Sequence, residues 1–184
     1  MSDITEKSVV KTEAIFTEDK SHRYLLRKEW DKNKPKAMVI MTNPSSAGEI
    51  SVDHTTMYVI NNLLKLDFGS VDVVNIFSKI DVKISTKYAT EGLTDEENDN
   101  QIVKSATRAD SIIVAWGKNG DNNKKIRDRQ EQVFNLLQGY KEKLYTIESE
   151  DGKQGFHPLA PQIRFHWKLS KIELELKKEK GKES

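Results

Sequence analysis

The chain of 184 residues contains no cysteine. That absence excludes a disulfide framework, a thiolate metal site, an iron–sulfur cluster and a cysteine nucleophile. Long hydrophobic runs are lacking as well. The longest, residues 111–116 (SIIVAW), is far short of the ~20 apolar residues that span a bilayer. Residues 1–12 are polar throughout, without the basic-then-apolar pattern of a secretory signal, so a soluble, cytoplasmic protein is expected. Nor does charge of one sign dominate: 30 Lys and Arg face 29 Asp and Glu, for a formal net charge of +1. A strong non-specific nucleic-acid binder usually carries a basic excess, so any such surface here has to be local. Two stretches qualify, residues 118–129 (KNGDNNKKIRDR) and the Lys-rich tail after Trp167. Each reads equally as a solvated loop or a frayed terminus.

What is present suits a single domain, since typical domains run to ~100–200 residues. The boundaries read as a flexible N-terminus over 1–12, one α/β domain over 13–168 and a charged tail over 169–184. Residues 14–16 and 24–27 flank a turn-like segment and predict a hairpin. Four short apolar runs bounded by turn formers predict buried strands, at 37–41, 71–77, 111–116 and 144–147. Between them, helical spacing predicts helices at 55–66, from about 99 to 108 and from about 126 to 137. On the first, Met57, Ile60, Leu63 and Leu64 share a face. The alternation predicts a three-layer α/β/α fold with a central four-stranded, mainly parallel sheet, plus the N-terminal hairpin. In such sheets the ligand crevice lies outside the carboxyl ends of the strands. Each predicted strand end bears something chemical: Asn43-Pro44, Asn75, Trp116-Gly117, and His157-Pro158 beyond the fourth.

Asn43-Pro44 is a rigid corner whose amide has a defined position from which to hold a water; as Asn-Pro it is also an ordinary turn. Asn75 interrupts an apolar strand. A buried amide needs partners, because one left unpaired costs ~1–3 kcal/mol, and a pyrimidine imide edge offers the complementary donor–acceptor pattern. His157 opens a loop stiffened by two prolines (HPLAP), a held donor of the kind that contributes ~3–4 kcal/mol at a developing negative charge. His22, His54 and His166 have no metal-ligand spacing. A Ser45/His157 nucleophile pair lacks the G-x-S-x-G elbow.

The segments 23–30 (RYLLRKEW), 42–47 (TNPSSA), 53–56 (DHTT), 73–77 (VVNIF), Asn98-Asp99, 115–120 (AWGKNG) and 157–161 (HPLAP) together resemble the bacterial family known as domain of unknown function 1643. In the order and spacing of its strand-end residues the chain also resembles the uracil-DNA glycosylase superfamily. That second resemblance implies a metal-independent enzyme, without a cofactor, that flips uracil out of DNA and hydrolyses its glycosidic bond. It implies that Asn43 holds the hydrolytic water, Asn75 reads the uracil edge and His157 stabilises the departing anion. Pro44, Ser45, Phe77 and Tyr58 would line the base pocket, and Asp53 would be a second group for water activation or else the N-cap of the following helix. Pro158, Leu159 and Ala160 would enter the DNA, with Leu159 or Ala160 filling the gap left by the flipped base. Lys118, Lys124, Lys125 and Arg127 would bind the backbone. The partners implied are uracil-containing DNA, single- or double-stranded, and a small acidic DNA-mimic inhibitor protein of the uracil-glycosylase type. The chain departs from that pattern in having Asn43 where the common enzymes have Asp, and the small Ser45 where they have a bulky Tyr. Two other functions stay open: a non-catalytic nucleic-acid or nucleotide-binding module, and a hydrolase of free nucleosides or nucleotides.

Overall fold

The structure, a computed structural model, describes residues 3–45, 48–82 and 92–173. Ser46 and Ala47 of the TNPSSA segment, part of the polar stretch 78–98 and the tail beyond 173 lie outside the described residues. In chain order the elements are β1 (Lys11–Phe16), β2 (Arg23–Glu29), β3 (Lys36–Met41), α1 (His54–Lys65), β4 (Ser70–Asn75), α2 (Glu96–Arg108), β5 (Ser111–Val114), α3 (Lys124–Leu136), a 3-10 segment (Gln138–Lys143), β6 (Leu144–Glu148) and β7 (Lys168–Lys171). They build one seven-stranded sheet in the order β1-β2-β4-β3-β5-β6-β7.

The expected four strands are its centre: β4, β3, β5 and β6 pair in parallel. The sheet is larger than the expected four strands, because antiparallel strands extend it on both sides. The N-terminal hairpin is continuous with it through β2 and β4, and β7 pairs with β6. The sheet therefore takes in Lys11 and Thr12, and the last three residues of β7, 169–171, all of which the sequence reading places in the terminal segments. Lys168–Lys171 (KLSK) has only one strongly apolar residue to betray a strand. Tertiary pairing supplies what the local pattern lacks, as is usual for edge strands.

The pleat sorts the side chains into two cores. Met38, Ile40, Val74, Ile76, Ile112 and Val114 point to the face covered by α2 and α3, through Ile102, Ala106, Ile126 and Val133. Val39, Met41, Val71, Val73, Ile113 and Ala115 point to the other face, covered by Val59 and Leu63 of α1 and by Ile163 and Trp167. The buried stripe of α1 is Thr56, Val59, Asn62 and Leu63. Met57 and Leu64, expected inside, are 37% and 48% exposed. The helix is rotated because Asn62 is drawn inward, donating from Nδ2 to the carbonyls of Tyr58 and Arg164, both at 2.8 Å. Among the described residues no helix is long and apolar enough to cross a membrane.

Candidate functional site

The carboxyl ends of β4, β3 and β5 lie side by side, and the chemistry-bearing residues gather there. Asn75 closes β4 opposite Met41 in the parallel register, so its side chain leaves the sheet on the α1 face with Met41 and Val73. It is 1% exposed, and among the described residues its Nδ2 has no hydrogen-bond partner. Its backbone is firmly held. Asn98, in the first turn of α2, donates from Nδ2 to the carbonyls of Asn75 at 3.0 Å and Ile76 at 3.3 Å. Arg129 of α3 donates from Nε to the Ile76 carbonyl at 2.8 Å and pairs with Asp99. The Asn98-Asp99 pair is thus a fastening for the end of β4. Asp95 caps α2 by accepting from the Asn98 amide, and its other oxygen accepts from the Tyr24 hydroxyl.

Beyond β3, Asn43 donates from Nδ2 to the Val82 carbonyl at 3.2 Å, and Pro44 is buried, its carbonyl accepting from the Asp81 amide. The Ser45 carbonyl accepts from Arg23 at 3.4 Å, and its hydroxyl donates to Asp53. Asp53 is the N-cap of α1, accepting from the Thr56 amide at 2.7 Å. Burial acts to raise its carboxyl, but the bonds from Ser45 and Thr56 and the nearby Arg23 guanidinium outweigh burial and hold it below the ordinary value.

Arg23 was given no role by sequence reasoning, although it opens the RYLLRKEW segment. It is 2% exposed, and because β2 runs antiparallel to β4 its first residue arrives at the carboxyl edge of the parallel strands. Burial lowers its guanidinium pKa, with Asp53 and Asp81 acting in opposition. The sequence signal was a cation placed directly before an apolar run (YLL), where a strand begins.

His157 packs against the end of β5. Gly117 adopts a φ of +70°, and a Cβ there would come within 3.0 Å of the His157 Cβ, so the close approach needs glycine. The Leu159 amide donates to His157 Nδ1 at 3.3 Å, which makes Nδ1 the acceptor and Nε2 the protonated nitrogen of the neutral ring. Burial pushes the imidazole below its ordinary 6.5, with the Asp53 charge pulling the other way. Pro158 is buried, Ala160 is half-buried and Leu159 is 39% exposed. Beside them a cleft of about 600 Å³ opens between Gly117–Asn119 and the segment from Lys153 to Gln162.

The other expected site residues lie elsewhere. Phe77, 2% exposed, belongs to the core under α2 and α3, on the face opposite the Met41 and Val73 side chains. The Tyr58 ring packs edge-on against Phe165, centroids 5.7 Å apart. Of the basic residues, Lys124 pairs with Asp128 at 2.6 Å, and Arg127 donates to the carbonyls of Gly120 and Asp121. Lys125 is half-buried beside Phe77, Asp128 and Arg129 in a smaller cleft. Lys118 is exposed at the rim of the larger cleft. Lys124 and Arg127 thus bond within the helix and its leading loop, and Lys118 alone of the four lines the larger cleft.

No curated protein and no solved structure matches the chain. A family model does, over residues 23–159, and its span runs from the buried Arg23 to the Leu159 tip. The match covers well over half of the chain, which therefore belongs to the family described as protein of unknown function (DUF1643).

Proposed function

We propose that this protein is a DNA glycosylase that hydrolyses the N-glycosidic bond of uracil in DNA, on a fold of the uracil-DNA glycosylase type. The observation that carries the reading is Asn75: an amide buried to 1% exposure whose Nδ2 lacks a partner among the described residues. An unmade bond at such depth costs ~1–3 kcal/mol, recovered when a ligand acceptor such as a pyrimidine carbonyl arrives. His157 supports it, because a neutral ring protonated on Nε2 is a donor suited to an oxygen that becomes anionic.

In this reading the C1′–N1 bond breaks with both electrons leaving on the base, giving an oxocarbenium-like sugar and a uracil anion. His157 Nε2–H stabilises the anion. With its Nδ2 given to Val82, Asn43 accepts a hydrogen bond from the attacking water through Oδ1. The water adds at C1′ and its proton passes to Asp53, which is held ionised. The exposed Leu159 fills the gap left by the flipped nucleotide. Neither a strong nucleophile nor a metal is needed for a leaving group stabilised in this way. A small acidic DNA-mimic protein would compete for the same Leu159 surface.

The test is incubation with a labelled oligonucleotide carrying one uracil, then alkali, with His157→Ala as the comparison. Strand scission at the uracil with wild type and its loss in the variant is the expected result. An intact strand with wild type, on single strands and on U:G and U:A duplexes, overturns the reading. A specific observation favours a non-catalytic nucleic-acid-binding module as the alternative: neither Asn43 nor Asn75 lines the large cleft beside His157. Retention of DNA without base release would establish that alternative.

A further inference from the structure

The cleft beside His157 has a composition of its own. Its volume of about 600 Å³ falls within the ~300–1,000 Å³ of small-molecule sites. Phe156, Leu159 and Ala160 give it an apolar side, Asn119 and Gln162 supply amides, and Lys118 and Lys153 stand at its rim. Among the described residues no carboxylate lines it, although acids and bases balance over the whole chain. Lys153 is paired with Asp151 at 2.6 Å. Lys118 is exposed, and its ammonium has no partner among the described residues. Gly155, with a φ of +80°, carries the backbone at its wall without a side chain, and the space a Cβ would take there is open within 4 Å, so that a flat group can approach closely.

We propose that this cleft binds one nucleotide unit, a base against Phe156 and Leu159 with its phosphate at Lys118, next to the nucleotide whose base is presented to Asn75. The pairing of an apolar wall and amides with one uncommitted cation is the chemistry that a base with its phosphate satisfies; base–aromatic contacts are worth ~1–3 kcal/mol per base. The placement as a neighbour of the scissile nucleotide rests on the glycosylase reading. The occupancy of the cleft by a nucleotide does not.

The experiment is fluorescence anisotropy with a fluorescein-labelled, uracil-free oligothymidylate on the full chain, at several salt concentrations. Lys118→Glu is expected to weaken binding about tenfold and to flatten the salt dependence by about one charge. Lys32→Glu makes the same change of net charge at an exposed position beyond β2, at the opposite edge of the sheet, and is expected to bind as wild type does. Gln162→Ala, also exposed, is expected to weaken binding at constant salt slope. Competition by thymidine 5′-monophosphate as strong as that of the oligonucleotide would support the site and assign it to free nucleotides. Much weaker competition supports it as part of a strand-binding surface. Equal affinities for Lys118→Glu and Lys32→Glu overturn the proposal, as does a wild type that retains no oligonucleotide. Uracil release is scored separately on the same preparations. Release with a Lys118-independent affinity removes this proposal and keeps the glycosylase reading, and Lys118-dependent binding without release does the reverse.

Discussion

Single side chains decide what this edge of the sheet can do, and two of them are legible by titration. The His157 ring is depressed by burial and supported in its charged form by Asp53. Because its folded value lies below 6.5, the unfolded chain binds more protons between that depressed value and 6.5. Stability therefore falls as pH drops through this window, and His157→Gln removes that part of the slope in urea unfolding measured across it. Asp53→Asn takes away the opposing charge, so an NMR titration of His157 is expected to show a still lower value; an unchanged or raised one would separate the two groups. Asn75 and His157 were legible in the sequence because each stands out locally, an amide inside an apolar run and an imidazole ahead of prolines. Arg23 was not: the cation heading the YLL run marks a strand start, but its arrival at the carboxyl edge depends on the direction in which β2 enters the sheet, which local pattern does not encode.

At the scale of elements, the site is made by how strand ends are held. Gly117→Ala places a Cβ 3.0 Å from His157 in a left-handed conformation and is expected to cost about 1–3 kcal/mol. In thermal or urea unfolding an unaffected variant would contradict the described contact. Asn98→Ala removes the side-chain donor from the Asn75 carbonyl and leaves the Ile76 carbonyl with Arg129 alone, and is expected to cost about 1–3 kcal/mol. Under the proposed glycosylase function it should also lower base release more than ground-state DNA binding, since Asn98 would act through the position of Asn75; equal losses in both would show a merely structural role. Helices α1, α2 and α3 were readable to within a few residues from apolar spacing. The inward face of α1 was not, because a buried Asn62 with two carbonyl partners displaced the face that hydrophobicity alone selects. Strand β7 escaped for a related reason: KLSK gains its structure from β6 rather than from its own sequence.

Over the whole molecule, one ion cluster ties the hairpin to the parallel core. Asp72 of β4, 8% exposed, accepts two bonds from Arg27 of β2, at 2.7 and 3.1 Å, and one from Arg108 of α2 at 2.9 Å. Burial acts to raise its carboxyl, and the two arginines more than offset that and hold it below 3.8. The stability this confers is present above 3.8 and lost as pH falls towards the lowered value. Asp72→Asn is expected to cost about 1–3 kcal/mol, less than a fully buried pair, because the arginine side chains are 25% and 42% exposed. The variant should also show a shallower loss of stability in acid, and a loss as steep as that of wild type would assign the acid sensitivity elsewhere. The central parallel strands, flanked by the hairpin and β7, leave one edge where the strand ends leading to Asn43, Asn75 and Gly117 lie side by side, with His157 against Gly117, and the account turns on whether Asn75 reads a base there. The most direct measurement compares uracil release from a single-uracil oligonucleotide by wild type, Asn75→Ala and Asn75→Asp, with circular dichroism to verify that all three fold. Wild type is expected to release uracil, and both variants to lose at least about a hundredfold, since one lacks the donor and the other opposes an acceptor to a pyrimidine carbonyl. Release by folded Asn75→Ala at the wild-type rate would contradict the account.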